Sequence, residues 1–289
     1  MLSEDELSRA AQVAESAARE AGEVISAAFG VTAVAKFKAS SADLVTETDE
    51  KAEALVMRAL RSAFPEHDFV GEEGTAAAGG IEAVILGEGP TWMVDPLDGT
   101  TNFVHGFPFV CVSIGLVVGR EPVLGVIYNP VLGEMFKAVK GRGATLNGKT
   151  IRASGCKSLS LAVVGTEVGI GRSDEFMDAT FQRLRSLTQS CRSIRCSGSC
   201  AMNLAGVALG RLDAFYEIDF GGPWDCAAGA VLVTEAGGHV IDPSGRPFDV
   251  MSRRVLAGNP GVVKEMVPHL AVGQPHKSFP RDRGKHGVK

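Results

Sequence analysis

The chain has 289 residues, and at about 150 residues per domain that length points to two domains and a large core. Its 29 Lys and Arg against 34 Asp and Glu leave a net charge of −5, which gives no global basic field for nucleic acid or an anionic membrane surface. The longest apolar run, residues 110–118, is broken by Ser113 and Gly115 and is too short to span a bilayer; the acidic MLSEDELSRA start is unlike an export signal, so a cytoplasmic protein is expected.

Ser3 and Glu6 fit a capping box, and Ala10, Val13, Ala14, Ala17, Ala21, Val24, Ile25 and Ala28 recur at helical spacing until Gly30. A second helix is predicted from about Thr48 to Phe64, with Pro65 beyond its end and Glu47, Asp49 and Glu50 at its start, where the dipole favours anions. Residues 68–151 change to short β-rich runs separated by turns such as Asn147-Gly148, which reads as an antiparallel meander packed on the two helices. Beyond Ser154 the pattern alternates. Strands are predicted near 161–166, 193–196, 214–216 and 239–241, and helices near 174–187, 200–209 and 224–236, an α/β arrangement. The expected division is an α+β half over 1–152, an α/β half over 153–272, and a disordered tail over 273–289. Six cysteines without a C-x-x-C pair read as small buried or semi-buried thiols.

The segment WMVDPLDGTTNF at 92–103 carries the most chemistry. A β-rich run delivers Asp95, Pro96 turns the chain, and Asp98-Gly99-Thr100 looks like a helix entry. Two carboxylates about 4 Å apart repel by about 4 kcal/mol at an effective dielectric of about 20, so the pattern calls for a cation, and hard oxygen ligands select Mg²⁺, Mn²⁺ or Ca²⁺. The helix entry also presents N–H groups to an anion such as phosphate. A capped helix after a strand is the plain alternative. Taken alone, Glu72 in the glycine-flanked corner GEEG reads better as a solvated turn, and Asp225 in WDCAAG as a charge on a helix dipole.

Together, DLVTETD at 43–49, GEE at 71–73, DPLDGTTNF at 95–103 and WDCAAG at 224–229 closely resemble the inositol monophosphatase family, from the first helix to FDVMSRRV at 248–255. The resemblance implies a layered αβαβα sandwich and a homodimer. It implies a first Mg²⁺ on Glu72, Asp95 and the Leu97 carbonyl, a second on Asp95, Asp98 and Asp225, and a third, weaker one near Glu72. Thr100 with Asp49 would position and help deprotonate a water that Glu72 also holds. The N–H groups of Gly99 and Thr100 would hold phosphate. Gly198, Ser199, Cys200 and Glu217, with Asp225, would meet the alcohol half of the substrate, and Lys38 would approach the metals.

That set implies Mg²⁺-dependent hydrolysis of a small phosphomonoester, inositol monophosphate foremost. Histidinol phosphate and galactose 1-phosphate are the alternatives, and a silent metal-binding regulatory module stands as a different class. GATLNGKT at 143–150 spells a nucleotide-binding loop, yet its Asn147-Gly148 turn sits between β-runs and no long helix follows. Glu217 and Asp225 stand eight residues apart, one more than in the animal enzymes, and Cys200 takes the place of a usual Ala and Gly74 that of a common Ser.

Overall fold

The computed structural model describes residues 2–30, 35–37, 44–81, 84–169 and 171–272. Lys38 and the expected tail lie outside the described residues. The capping box forms as read: Ser3 N donates to Glu6 at 2.7 Å and Glu6 N to Ser3 Oγ at 3.2 Å, starting α1 (Glu4–Ala28). A two-stranded antiparallel pair, β1 (Ala35–Phe37) and β2 (Leu44–Thr46), leads into α2 (Glu47–Ala63).

A seven-stranded sheet follows in sequence order: β3 (Asp68–Gly71), β4 (Pro90–Asp98), β5 (Cys111–Val118), β6 (Glu121–Asn129), β7 (Glu134–Val139), β8 (Ala144–Leu146) and β9 (Lys149–Thr150). From β4 onward it is the antiparallel meander expected, but β3 pairs with β4 in parallel. The physical reason is the connection. Instead of a tight turn, the chain leaves β3 through α3 (Glu72–Ala77) and returns to start β4 beside the start of β3, as a crossover requires. A second short helix, α4 (Thr100–Val104), joins β4 to β5. Asn147 and Gly148, with φ of 49° and 77°, make the tight turn between β8 and β9, so the apparent nucleotide loop is a hairpin.

The second half contains β10 (Val163–Thr166), α5 (Asp174–Thr188), β11 (Ser193–Arg195), α6 (Cys200–Ala208), β12 (Ala214–Ile218), α7 (Pro223–Glu235), β13 (His239–Ile241), β14 (Arg254–Gly258) and α8 (Pro260–Leu270). Its five-stranded sheet has the order β11-β10-β12-β14-β13, parallel around β10 and antiparallel around β14. The last strand and helix extend beyond the elements read from the sequence.

Three buried clusters give the layers. Ala14, Ala21, Val56 and Leu60 of α1 and α2 pack on Trp92, Ile114 and Val126 of the larger sheet. The opposite face, with Met93 and Ile127, meets Leu204 of α6 and Ala227 and Val231 of α7, which also cover Phe215 and Ala257 of the smaller sheet. Leu187 of α5 and Val263 and Met266 of α8 close the far side on Tyr216 and Leu256. The result is the αβαβα sandwich. Gly115 and Gly125, paired across β5 and β6, let α7 come close: a Cβ on Gly115 would lie 2.8 Å from Ala227 Cβ. That approach brings the start of α7, and Asp225 with it, to the end of β4.

Cys111, Cys200 and Cys226 are buried and Cys156 and Cys191 partly so, all as free thiols. Cys196 is exposed, contrary to the expectation, because it follows the last residue of the edge strand β11, where the chain leaves the sheet. No helix among the described residues is long and apolar enough to cross a membrane.

Candidate active site

The site begins with a helix cap. Asp49 is the third residue of α2, and its Oδ2 accepts from Thr46 N at 2.9 Å and from the Thr46 hydroxyl at 2.5 Å. This fixes a buried carboxylate whose other oxygen, Oδ1, accepts from Thr100 Oγ1 at 3.1 Å. Thr100 opens α4, and its hydroxyl also stands 3.2 Å from the Leu97 carbonyl, so one proton serves two acceptors.

Asp95 and Asp98 are brought to one side by a bulge. Asp95 pairs with Ser113 and Asp98 with Cys111, three residues on β4 against two on β5. In a regular strand residues three apart face opposite ways; the extra residue restores a common face. Asp95 Oδ1 accepts from Leu97 N at 3.0 Å. Asp98 Oδ2 accepts from Ser199 Oγ at 2.6 Å and Ala201 N at 2.7 Å, with the Cys111 thiol at 3.9 Å, so the start of α6 points at this carboxylate. Asp225, third in α7, accepts from Gly222 N at 3.1 Å. Ser113 Oγ donates to Trp224 O at 3.0 Å and ties that helix start to the β4–β5 pair.

Burial pushes Asp95 well above the usual carboxylate range, with the charges of Glu72, Asp98 and Asp225 adding to it, and Asp95 shares a side-chain hydrogen bond with Asp225. Asp225 is raised by burial and by the charges of Asp98 and Glu72. Burial pushes Asp98 up to about 6, against the pull of its bonds from Ser199 and Ala201. Among the described residues no Lys or Arg pairs with these three acids. Nor do three acidic, His or Cys side chains among them already stand as a finished set around one point. The donor chemistry fits a hard divalent cation. Buried carboxylates that raise one another, and hold together through a shared proton, give up that proton to a metal.

Gly99 adopts φ of 89°, and a Cβ there would lie 2.9 Å from Phe109 O and 3.2 Å from Gly198 O, so only glycine lets these stretches of backbone meet. Ser199 is buried and its hydroxyl is committed twice, donating to Asp98 and accepting from Met202 N at 3.1 Å as the cap of α6. Cys200 is buried and bonded to Glu217. Glu217 is pushed well up by burial and by the nearby charges of Glu167, Asp225 and Asp98, and its Oε2 has no hydrogen-bond partner among the described residues. The longer spacing to Asp225 is absorbed after β12, where Asp219 takes φ of 69° and pairs with Arg253 at 2.6 Å. Glu217 therefore stays in the strand, within electrostatic reach of Asp225.

Residues 6–274 match the family profile described as the inositol monophosphatase family. The chain belongs to the inositol monophosphatase family. It is 57% identical over 247 residues to inositol monophosphatase 2 of Solanum lycopersicum, covering 86% of this chain and 92% of that one. Inositol monophosphatase 1 of Homo sapiens is 41% identical over 251 residues, 86% of this chain and 89% of that one. Among solved structures, the extragenic suppressor protein SuhB of Bartonella henselae aligns with a TM-score of 0.80 at 35% identity, covering 91% and 98% of the two chains. The inositol monophosphatase of Anabaena aligns with a TM-score of 0.77 at 33% identity, covering 91% and 95%.

Metal dependence goes with the inositol monophosphatase family, and three of this member's residues that serve the site went unread in the sequence. Glu53, one turn beyond Asp49, accepts from Glu73 N at 2.8 Å and Gly74 N at 2.9 Å, holding the start of the helix that carries Glu72. Asn102 donates to Phe109 O and Ser197 O, both at 2.8 Å, joining the 95–103 segment to the 197–199 loop. Glu167 accepts from the same loop on its other side. Asn102 lies inside the 95–103 motif and Glu53 follows Asp49 at i, i+4 spacing, whereas Glu167 carries no local signal.

Proposed function

We propose that this phosphatase hydrolyses a phosphomonoester of inositol with Mg²⁺ as its metal. Glu72, Asp95, Asp98, Asp225 and the Leu97 carbonyl would hold two ions, with a third, weaker one near Glu72. The observation that carries the reading is the convergence of Asp95, Asp98 and Asp225 beside the Thr100–Asp49 pair. Held by these residues, Mg²⁺ would supply charge to neutralise the phosphate dianion and to make water more acidic.

The chain's own groups do the rest. A water against Thr100 passes a proton to Oγ1 as that hydroxyl passes its own to Asp49 Oδ1, which the Thr46 cap keeps aimed at it. The N–H groups of Gly99 and Thr100 bind phosphate oxygens, and the first of a helix's amides have no acceptor inside the helix. Gly198, Cys200 and Glu217 face the alcohol half, where the unpaired Oε2 of Glu217 takes a substrate hydroxyl. Homologues named for inositol monophosphatase activity support this choice of alcohol.

Phosphate release from myo-inositol monophosphate, galactose 1-phosphate and histidinol phosphate, each with Mg²⁺ and with chelator, tests the proposal. The inositol ester is expected to give the highest kcat/KM, and chelator to abolish turnover. A clear preference for histidinol phosphate would overturn the substrate, and turnover in chelator the metal.

A further inference from the structure

The loop over 197–199 is gripped from three directions. Glu167, just beyond β10, places Oε1 2.9 Å from Ser197 N, 2.8 Å from Gly198 N and 2.7 Å from Asn203 Nδ2. Asn102 holds Ser197 O from the other side, and its amide fills the space a side chain on Gly198 would need, with 2.8 Å from that Cβ to Asn102 Oδ1. Ser199 Oγ, at the far end, is bonded to Asp98.

Two successive backbone N–H groups converging on one acceptor make an anion-binding concavity, and the left-handed φ of 82° at Gly198 shapes it. Here the anion is the chain's own carboxylate. Placing it there costs desolvation: burial raises Glu167 above the ordinary range even though its bonds from Gly198, Ser197, Asn203 and Ser199 pull it down. A loop needing only to cover the surface would not require a partly buried carboxylate with three donors on a single oxygen. The grip also faces the site, because Gly198 O lies against Gly99, where the phosphate-binding entry begins.

We propose that Glu167 is a positioning residue for recognition of the alcohol half of the substrate, holding the Ser197 and Gly198 amides so that the 198–200 backbone presents a fixed surface beside Glu217. This rests on the reading that the 198–200 loop meets the inositol. Asp49, Thr100, Asp95 and Asp225 take no bond from this loop, and Asp98 keeps its bond from Ala201 N inside α6 as well as that from Ser199, so the effect falls chiefly on recognition of the polyol.

The test compares wild type, Glu167→Ala and Glu167→Gln on myo-inositol monophosphate and on p-nitrophenyl phosphate, which carries no polyol, together with amide hydrogen exchange at Ser197 and Gly198. Glu167→Ala is expected to raise KM for the inositol ester by about tenfold, the scale of lost supporting contacts, and to leave kcat/KM for p-nitrophenyl phosphate within about twofold. Exchange at the two amides should quicken in the Ala variant. Glu167→Gln, which keeps an acceptor oxygen, should restore both readouts. Equal losses on the two esters, or unchanged exchange in the Ala variant, would overturn the proposal. If wild type cleaves p-nitrophenyl phosphate but not the inositol ester, the substrate reading falls and the exchange result still judges the grip. Should the Ala variant fail to fold, Glu167→Asp, one methylene too short to reach both amides, is measured in its place.

Discussion

Thr100 Oγ1 stands 3.1 Å from Asp49 Oδ1 across 51 residues of sequence, joining the first turn of α2 to the end of β4. Because Oδ2 of the same carboxylate is taken by the Thr46 cap, Asp49 is held in one orientation with its other oxygen turned to Thr100. We expect Thr100→Ala to lower kcat by about 10²-fold or more, the usual share of a positioned proton acceptor, with little change in KM. Thr100→Ser should recover most of the rate. Steady-state kinetics decide, and a raised KM with normal kcat would contradict the role.

Asp95→Asn should reduce turnover by about 10³-fold or more, since one residue serves both proposed metals. The same variant in chelator should melt higher than wild type at pH 7.5, because it removes an acid whose ionisation burial, Glu72, Asp98 and Asp225 all oppose. Each kcal/mol relieved corresponds to about 2–4 °C in Tm for chains near this size. Calorimetry of metal-free protein checks this. A lower Tm would mean that Asp95 is a structural acid.

Glu53→Ala should weaken Mn²⁺ binding by about 10- to 100-fold, the scale found when the partner of a metal ligand is lost. Its two bonds to Glu73 N and Gly74 N set the turn from which Glu72 projects. Glu53→Gln, which keeps one acceptor, should lose less. Binding can be followed by the electron paramagnetic resonance of free Mn²⁺, and unchanged affinity in the Ala variant would exclude the role.

The raised carboxyl of Asp98 sets a pH dependence. Its folded pKa of about 6 lies above the unfolded value of about 3.9, so it favours folding fully below the lower value and loses that contribution as pH rises through 6. Metal-free wild type should therefore lose stability between about pH 4 and 6.5 relative to Asp98→Asn. Mg²⁺ competes with the same protons, so the Mg²⁺ concentration for half activity should climb as pH falls towards 6. Thermal scans with and without Mg²⁺ across that range give the answer. Parallel curves for wild type and Asp98→Asn would contradict it.

Local chemistry made much of this fold legible. Ser3 and Glu6 announce α1, Asn147-Gly148 announces the β8–β9 turn, apolar spacing marks α5, and continuous small apolar runs mark the buried α6 and α7. The direction of β3 was not legible, because the crossover through α3 sets it and strand patterning carries no sign of direction. The bulge that turns Asp95 and Asp98 to one face is equally silent, since it depends on register with Ser113 and Cys111. Glu53 and Glu167 accept backbone N–H groups 20 and 30 residues away, and a backbone donor leaves no residue signature to find. The bond from Ser199 Oγ to Asp98 is silent for the same reason, since it joins two residues far apart in the chain.

We propose that Asp95, Asp98, Asp225 and Glu72 act as one metal-binding unit. Calorimetric titration of chelator-treated protein with Mn²⁺ tests it most directly, comparing wild type with Asp95→Asn. We expect wild type to bind at least two ions per chain and release protons as it does so, and the variant to bind far more weakly at both positions. Binding in Asp95→Asn with the stoichiometry and affinity of wild type would contradict the account.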